Sequence, residues 1–284
     1  MLTGAGKIAG VMGWPIAHSL SPLLHGYWLD ELKIDGALVP LAVCREDFAP
    51  VIGGLRRAGF RGVNVTVPHK EAAFALAHYC DATASAAGAV NLLIFHDDGR
   101  IEGRNTDAVG LTNSLAESVG TLAGKNVVLL GAGGAARGAA LALNAQDAAK
   151  VHILNRHADK AAALAQALQP LVTCELVPGG FEDWTAVAGA VSLMINSTSA
   201  GMKNNPPLAL DLAALNRDAA VLDIVYNPLE TELLKQARAR GHVAIDGLGM
   251  LMHQAAPSFE ALFGVKPKVS PGLRAMLEQA LGRA

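Results

Sequence analysis

The residues best suited to chemistry fall into two groups. The first binds anions through the backbone. In Val127-Val128-Leu129-Leu130-Gly131-Ala132-Gly133-Gly134-Ala135-Ala136-Arg137 an apolar run breaks at a glycine cluster that opens an Ala-rich segment. Glycines let the chain turn sharply and let a diphosphate approach freed N–H groups, while the following helix N-terminus adds partial positive charge. Gly131, Gly133 and Ala136 fit the G-x-G-x-x-G/A form of the dinucleotide fingerprint. The second group is polar and scattered. Ser19 and Ser21 flank a helix start, a reasonable seat for a carboxylate, although Ser21 also reads as a plain N-cap before Pro22. Lys70 begins a helix after Pro68, where its charge opposes the helix dipole. Asp107 ends the polar run Arg104-Asn105-Thr106-Asp107 ahead of a helix over 111–119, and alone it reads as a cap. Lys70 and Asp107 matter together only if the fold converges them.

The elements that must position these groups follow from periodicity. Residues 7–13 form a short buried strand, 22–32 a helix, 37–43 an apolar strand, and Glu46 to Ala58 a helix ending at Gly59. Alternation at Val63, Val65 and Val67 makes a strand with Asn64 and Thr66 on its other face. Gly88 to Phe95 reads as a strand turned at Asp98-Gly99 into a partner around 100–103. From Lys125 the pattern alternates: strands 126–130, 151–155, 172–177, 191–195, 220–225 and 242–245, with helices 134–146, 158–168, 182–188 and 229–240 between them. That order predicts a doubly wound parallel sheet with right-handed crossovers. The fingerprint then has the strand before it and the helix after it that dinucleotide binding requires. A helix follows Asp246-Gly247, and a last one has Ser270 as cap and Pro271 as first residue. These two exceed what the nucleotide sheet needs and are expected to return to the first domain. The expected division is 1–107, completed by 246–284, and 108–245.

The second strand of the alternating region distinguishes cofactors. An NAD site carries Asp or Glu for the ribose diol there, whereas this strand ends Ile153-Leu154-Asn155-Arg156-His157. Arg156 can meet a 2′-phosphate with charge-assisted hydrogen bonds, and Lys160 adds positive charge one turn on. NADP is therefore favoured over NAD.

Composition sets the outer limits. A chain of 284 residues suits one large or two medium domains, and two fit the pattern better. Lys plus Arg total 23 against Asp plus Glu 25, a net charge of −2, which offers no global attraction to nucleic acid or an anionic membrane. With 51% hydrophobic and 17% charged residues the chain is globular rather than disordered. It shows no signal-peptide pattern and no spanning run, so a cytoplasmic location is expected. Cys44, Cys80 and Cys174 are odd in number and widely spaced, arguing for reduced thiols and against a disulfide framework or zinc knuckle.

Taken together, these motifs resemble the shikimate dehydrogenase family, aromatic-pathway enzymes that interconvert 3-dehydroshikimate and shikimate with NADP(H). The resemblance spans nearly the whole chain: His18-Ser19-Leu20-Ser21-Pro22, Asn64 to Lys70, Gly88 to Asn91, Asn105-Thr106-Asp107, Gly131 to Ala135, Asn155-Arg156, Asn196 to Gly201, and Gly247 to Leu251 with Gln254. It implies an N-terminal α/β substrate domain and a Rossmann NADP-binding domain. It further implies that Ser19, Ser21, Thr66, Asn91, Asp107, Tyr226 and Gln254 contact substrate, and that Lys70 and Asp107 form the catalytic pair. Gly131, Ala132, Gly133, Gly134, Ala135, Asn155, Arg156, His157, Lys160, Thr198, Ile224 and Gly247 are implied at the cofactor. Hydride reduction of a ketone builds negative charge on oxygen, a demand that a lysine meets and that requires no metal. His157 stands where the family usually has Thr, Ala37 replaces a tyrosine, and a late tryptophan near Phe263 is absent. The expected partner is a small-molecule substrate, with no nucleic acid or membrane, and the expected state a monomer or homodimer. A quinate/shikimate dehydrogenase that also uses NAD, and a non-catalytic shikimate or nucleotide sensor, are the alternative readings.

Overall fold

The computed structural model describes residues 2–282. They divide into two contact-dense units, one running to Thr106 and resuming at Met252–Ala280, the other Asp107–Leu251.

The first unit contains β1 (Lys7–Gly13), α1 (Ser21–Glu31), β2 (Gly36–Ala42), α2 (Phe48–Arg57), β3 (Gly62–Val65), α3 (Lys70–Leu76), β4 (Tyr79–Cys80), α4 (Ala82–Ala87), β5 (Leu92–Phe95) and β6 (Ile101–Arg104). Its sheet has the order β2-β1-β3-β5-β6-β4. β1 pairs in parallel with β2 and β3, whereas β5 runs antiparallel to both β3 and β6. One core cluster joins Met12, Val63, Val65 and Leu93 of the sheet to Phe48, Ile52, Ala73 and Ala84 of the helices. A second set of contacts is aromatic, with Trp28 and Phe259 centroids 5.3 Å apart and Phe259 and Phe263 4.8 Å apart. Phe259 and Phe263 come from the late part of the chain. Lys7 Nζ donates to Phe263 O at 2.9 Å and Trp28 Nε1 to Lys268 O at 2.9 Å. A Cβ added at Gly62 would lie 2.7 Å from Leu262 Cδ2, so the late segment lies directly against β3.

The second unit contains α5 (Asp107–Ser118), β7 (Asn126–Leu130), α6 (Gly134–Ala145), β8 (Lys150–Asn155), α7 (Ala158–Leu168), β9 (Glu175–Gly180), α8 (Trp184–Val187), β10 (Leu193–Asn196), β11 (Ala220–Asp223), α9 (Glu232–Ala239) and β12 (Ala244–Ile245). The sheet order is β12-β11-β10-β7-β8-β9, every pair parallel. That is the doubly wound arrangement, with its switch point between β7 and β10. Period two assigns the faces. Val127 and Leu129 join one core with α5, α6 and α7, while Val128 and Leu130 join another with Trp184 and α9. Two further helices follow, α10 (Leu248–Phe263), which runs through the boundary at Leu251, and α11 (Pro271–Gly282).

Several boundaries differ from those the sequence predicts. The expected strand over 63–67 ends at Val65, because Thr66 N–H bonds Met12 O and His69 N–H closes a turn onto Thr66 O; Val67 is 69% exposed. Gly88 to Asn91 is not strand: Gly88 ends α4 at φ +58, and β5 begins at Leu92. The helix expected from 111 starts at Asp107, which is its first residue. The strand placed at 172–177 lies at Glu175–Gly180, since Gln169 continues α7 as a 3₁₀ turn and its side chain bonds Cys174 O and Leu176 N–H. The helix expected at 182–188 is the single turn α8 between 3₁₀ turns. Thr231 shortens the helix expected from 229 by capping Leu234 N–H.

Candidate functional site

In the first unit the polar residues converge from five stretches of chain. Ser19 and Ser21 stand at the start of α1, but Ser21 is its first residue rather than its cap; Leu20 holds the cap position without a side-chain bond. Ser19 Oγ accepts from Ser21 N–H at 3.3 Å, so the two hydroxyls flank a helix N-terminus. Thr66 leaves β3 half-buried, its backbone tied to Met12.

Lys70 is fixed from both sides. His69 before it is buried, stacks on Phe48 at 4.8 Å and donates through Nε2 to Val43 O at 2.8 Å. Val90 N–H donates to Lys70 O at 2.9 Å, which sets the lysine one residue from Asn91 across the structure. Asn91 is buried and forms a two-way link with Thr106: its Nδ2 donates to Thr106 Oγ1 at 2.9 Å, and its Oδ1 accepts Thr106 N–H at 2.9 Å. Gln254 of α10 brings Oε1 to 3.5 Å from Asn91 Nδ2 and 3.4 Å from Thr106 Oγ1. Side-chain amides and a hydroxyl thus cluster beside a lysine, a donor and acceptor array suited to reading hydroxyl groups.

Sequence reasoning did not single out Thr106. The pairing of β5 with β6, Leu92 opposite Arg104, is what brings it to Asn91, and it is not a local pattern. Nor did it assign Asn64 and His25. Asn64 Nδ2 donates to His25 Nε2 at 3.3 Å, and Asn64 Oδ1 and His25 Nδ1 are buried without hydrogen-bond partners. Burial pushes the His25 imidazole down to about 3, so the ring is neutral across the physiological range. Asn105 donates to Ala89 O at 2.9 Å, which ties the loop before α5 to the one before β5.

In the second unit most of the residues expected at the cofactor follow the carboxyl ends of its strands, along one edge of the sheet. Asp107 opens α5 and is buried, and a Cβ at Gly138 would come within 3.3 Å of its Cβ. After β7, Gly131 has φ +108 and its N–H donates to Leu154 O at 2.8 Å. A Cβ there would sit 2.8 Å from Ser197 Oγ, so the turn after β7 touches the turn after β10 and only glycine fits. Gly133 is the cap of α6; Ala132, Gly134 and Ala135 complete the turn and bring first-turn N–H groups to the sheet edge.

Asn155 ends β8 and donates to His157 O at 3.0 Å, shaping the turn that carries Arg156, His157 and, on α7, Lys160. Arg156, His157 and Lys160 are exposed, and no ion pair engages Arg156 or Lys160 among the described residues. After β10, Thr198 donates from N–H and Oγ1 to Asn196 Oδ1 at 3.1 and 2.7 Å. Ile224 and Tyr226 follow β11, with Ile224 N–H bonded to Asn196 O at 3.1 Å. Gly247 follows β12, where a Cβ would meet Ile224 O at 2.2 Å. The residues therefore fit a dinucleotide: close backbone approach at Gly131 and Gly247, first-turn N–H groups of a helix, and unengaged cations beside the second strand.

A doubly wound sheet with this edge, joined in one chain to a lysine–amide–hydroxyl cluster, defines a nicotinamide-dinucleotide-dependent oxidoreductase. Comparison with known proteins makes the assignment specific. The family model described as shikimate dehydrogenase substrate binding domain matches residues 11–93, and that described as shikimate / quinate 5-dehydrogenase matches residues 114–205. The shikimate dehydrogenase (NADP(+)) of Methylobacterium radiotolerans is 51% identical over 270 residues, which cover 94% of each chain. Shikimate 5-dehydrogenase from Thermus thermophilus, solved in complex with NADP(H) and shikimate, has a TM-score of 0.83 and 34% identity, covering 98% of this chain and 99% of that one. Quinate dehydrogenase from Corynebacterium glutamicum, solved with NAD, has a TM-score of 0.88 and 29% identity, covering 98% of this chain and 99% of its own. The chain belongs to the shikimate dehydrogenase family.

Proposed function

We propose that this chain catalyses the reversible reduction of 3-dehydroshikimate to shikimate in aromatic amino acid biosynthesis, with NADPH as the hydride source. The observation that carries the reading is the Val90–Lys70 backbone bond, which holds a lysine beside the Asn91–Thr106–Gln254 cluster. Ser19 and Ser21, at the N-terminus of α1, bind the ring carboxylate. Thr66, Asn91, Gln254 and Tyr226 read hydroxyl groups, and an analogue lacking one leaves its reading group without that partner. Lys70 donates a proton to the carbonyl oxygen during reduction and accepts it back during oxidation. Asp107 orients the neighbouring hydroxyl and the ammonium.

The cofactor role belongs to the sheet edge of the second unit. NADPH, when bound, supplies the hydride. Gly131 to Ala135 take its diphosphate, Asn155, Arg156, His157 and Lys160 its adenosine end, and Thr198, Ile224 and Gly247 its nicotinamide side. Arg156 favours the 2′-phosphate because its guanidinium is exposed and unengaged. We further place the enzyme in the cytoplasm as a monomer or homodimer. No helix among the described residues is long and apolar enough to cross a membrane, which is compatible with that location.

The deciding assay is a set of initial rates for shikimate and quinate, each with NADP and NAD. Shikimate with NADP is expected to give the highest kcat/KM. Preference for quinate or for NAD would transfer the chain to the quinate branch, and absence of turnover with every pair would revive the sensor reading.

A further inference from the structure

Asp223, which ends β11, is fully buried, and its carboxylate accepts three hydrogen bonds from neutral donors. They come from Asn196 Nδ2 at 2.9 Å, Val225 N–H at 3.1 Å and the Thr231 hydroxyl at 2.7 Å. Two of these groups can only donate. Thr231 Oγ1 in turn accepts from Leu234 N–H at 3.3 Å, which commits its own proton to Asp223. The position therefore demands an acceptor, which a carboxylate is and a carboxamide is only in part.

That demand propagates. Because Asn196 Nδ2 faces Asp223, Asn196 Oδ1 must face the other way, where it accepts both the N–H and the hydroxyl of Thr198. Thr198 Oγ1 then accepts Ala200 N–H at 3.1 Å, closing the turn. On the other side, Asp223 holds Val225 N–H while Ile224 N–H bonds Asn196 O and Ile224 O borders Gly247. One carboxylate thus orders the two segments that carry Thr198, Ile224 and Tyr226. Burial raises its carboxyl and the three donors offset part of that rise, leaving it at about 6, so the network helps to hold the anion.

We propose that Asp223 is a positioning residue for the nicotinamide side of the cofactor site: its carboxylate locks the Asn196 side-chain amide in the one orientation that builds the Thr198 turn. The inference rests on the assignment of Thr198 and Ile224 to the cofactor made above. Asn196 Nδ2 and Val225 N–H share Asp223 Oδ1 while the Thr231 hydroxyl meets Oδ2. In Asp223→Ala both acceptors are gone, the Asn196 amide is released, and its NH₂ is free to turn toward Thr198 N–H.

The test is NADPH binding to the whole enzyme, read by fluorescence titration and paired with the thermal midpoint and the KM for shikimate. Asp223→Ala is expected to weaken NADPH about tenfold or more, the scale of one hydrogen bond to a charged group. The KM for shikimate should change less than NADPH affinity does, since of the substrate-reading residues only Tyr226 lies in a segment that Asp223 orders, and the melting temperature should not fall in proportion to the binding loss. Thr231→Val should weaken NADPH in the same direction, while Thr231→Ser, which keeps the hydroxyl, should restore it; this pair decides the matter if Asp223→Ala does not fold. Unchanged NADPH affinity in Asp223→Ala and Thr231→Val, alongside weakened affinity in Thr198→Ala, would overturn the positioning role alone. Unchanged affinity in all three variants would overturn the assignment of Thr198 as well, and the proposal with it.

Discussion

The two units encode their sites in opposite ways. In the second, each element of the candidate site lies within a few residues of the end of one parallel strand: Gly131 after β7, Asn155 at the end of β8, Thr198 after β10, Ile224 after β11 and Gly247 after β12. Parallel topology alone delivers them to one edge. In the first, Lys70, Asn91, Thr106 and Gln254 meet only because a mixed sheet pairs β5 antiparallel to β6 and because the chain returns in α10. A cofactor edge can thus be built from local motifs, whereas the substrate cluster depends on register and on a distant helix.

Proton transfer by Lys70 should depend on the first unit and affinity for the nucleotide on the second, and Lys70→Met is the harshest test of that division. We expect kcat to fall by ~10²–10⁴-fold, the range for loss of a general acid, with NADPH affinity nearly unchanged. Unchanged turnover would remove the lysine from the mechanism and leave the comparison without its catalytic half.

Arg156→Ala probes the other half. The KM for NADP should rise ~10–100-fold, as expected from losing charge-assisted bonds to a phosphate, while the KM for NAD moves little. Equal effects on both cofactors would place the 2′-phosphate elsewhere. Gly131→Ala should cost about 1–3 kcal/mol of stability through its left-handed backbone, and should also weaken NADPH because Ser197 must shift. A chemical-denaturation series with a cofactor titration reads both effects, and a neutral substitution would show that the turn relaxes freely.

The smallest expected effect separates the units by pH. His25 has its pKa depressed from 6.5 to about 3, so the stability it contributes is present above pH 6.5 and is lost as pH falls. Asp223 has its pKa raised from 3.8 to about 6, so its contribution is present below pH 3.8 and is lost as pH rises through 6. Acidification from pH 7 to 5 should therefore cost the first unit roughly 2 kcal/mol and return about 1 kcal/mol to the second. Hydrogen exchange, corrected for intrinsic rates, should show protection falling in β1 and β3 but not in β7 and β10. Parallel changes in both sets would refute the assignment of these two groups.

What the sequence made legible follows the same division. The doubly wound sheet, the glycine turn and the Asn155-Arg156 pair could be read directly, since strand, turn and helix adjoin in the chain. Lys70 and Ser21 were visible as residues at helix starts, but their neighbours were not. Thr106 and Asn64 owe their contacts to strand register and to a helix far away in sequence, and no period reports either. Boundaries failed where side chains took over backbone bonding, as Gln169 does before β9 and Thr231 before α9.

The late segment that completes the first unit has a consequence for synthesis. Trp28 packs on Phe259, and the hydroxyl-reading cluster needs Gln254, residues that leave the ribosome only after the whole of Asp107–Leu251. The portion made first must therefore wait with its aromatic face uncovered while the portion made second folds. The nucleotide-binding unit, whose sheet is continuous in the chain, is the one that can finish during translation.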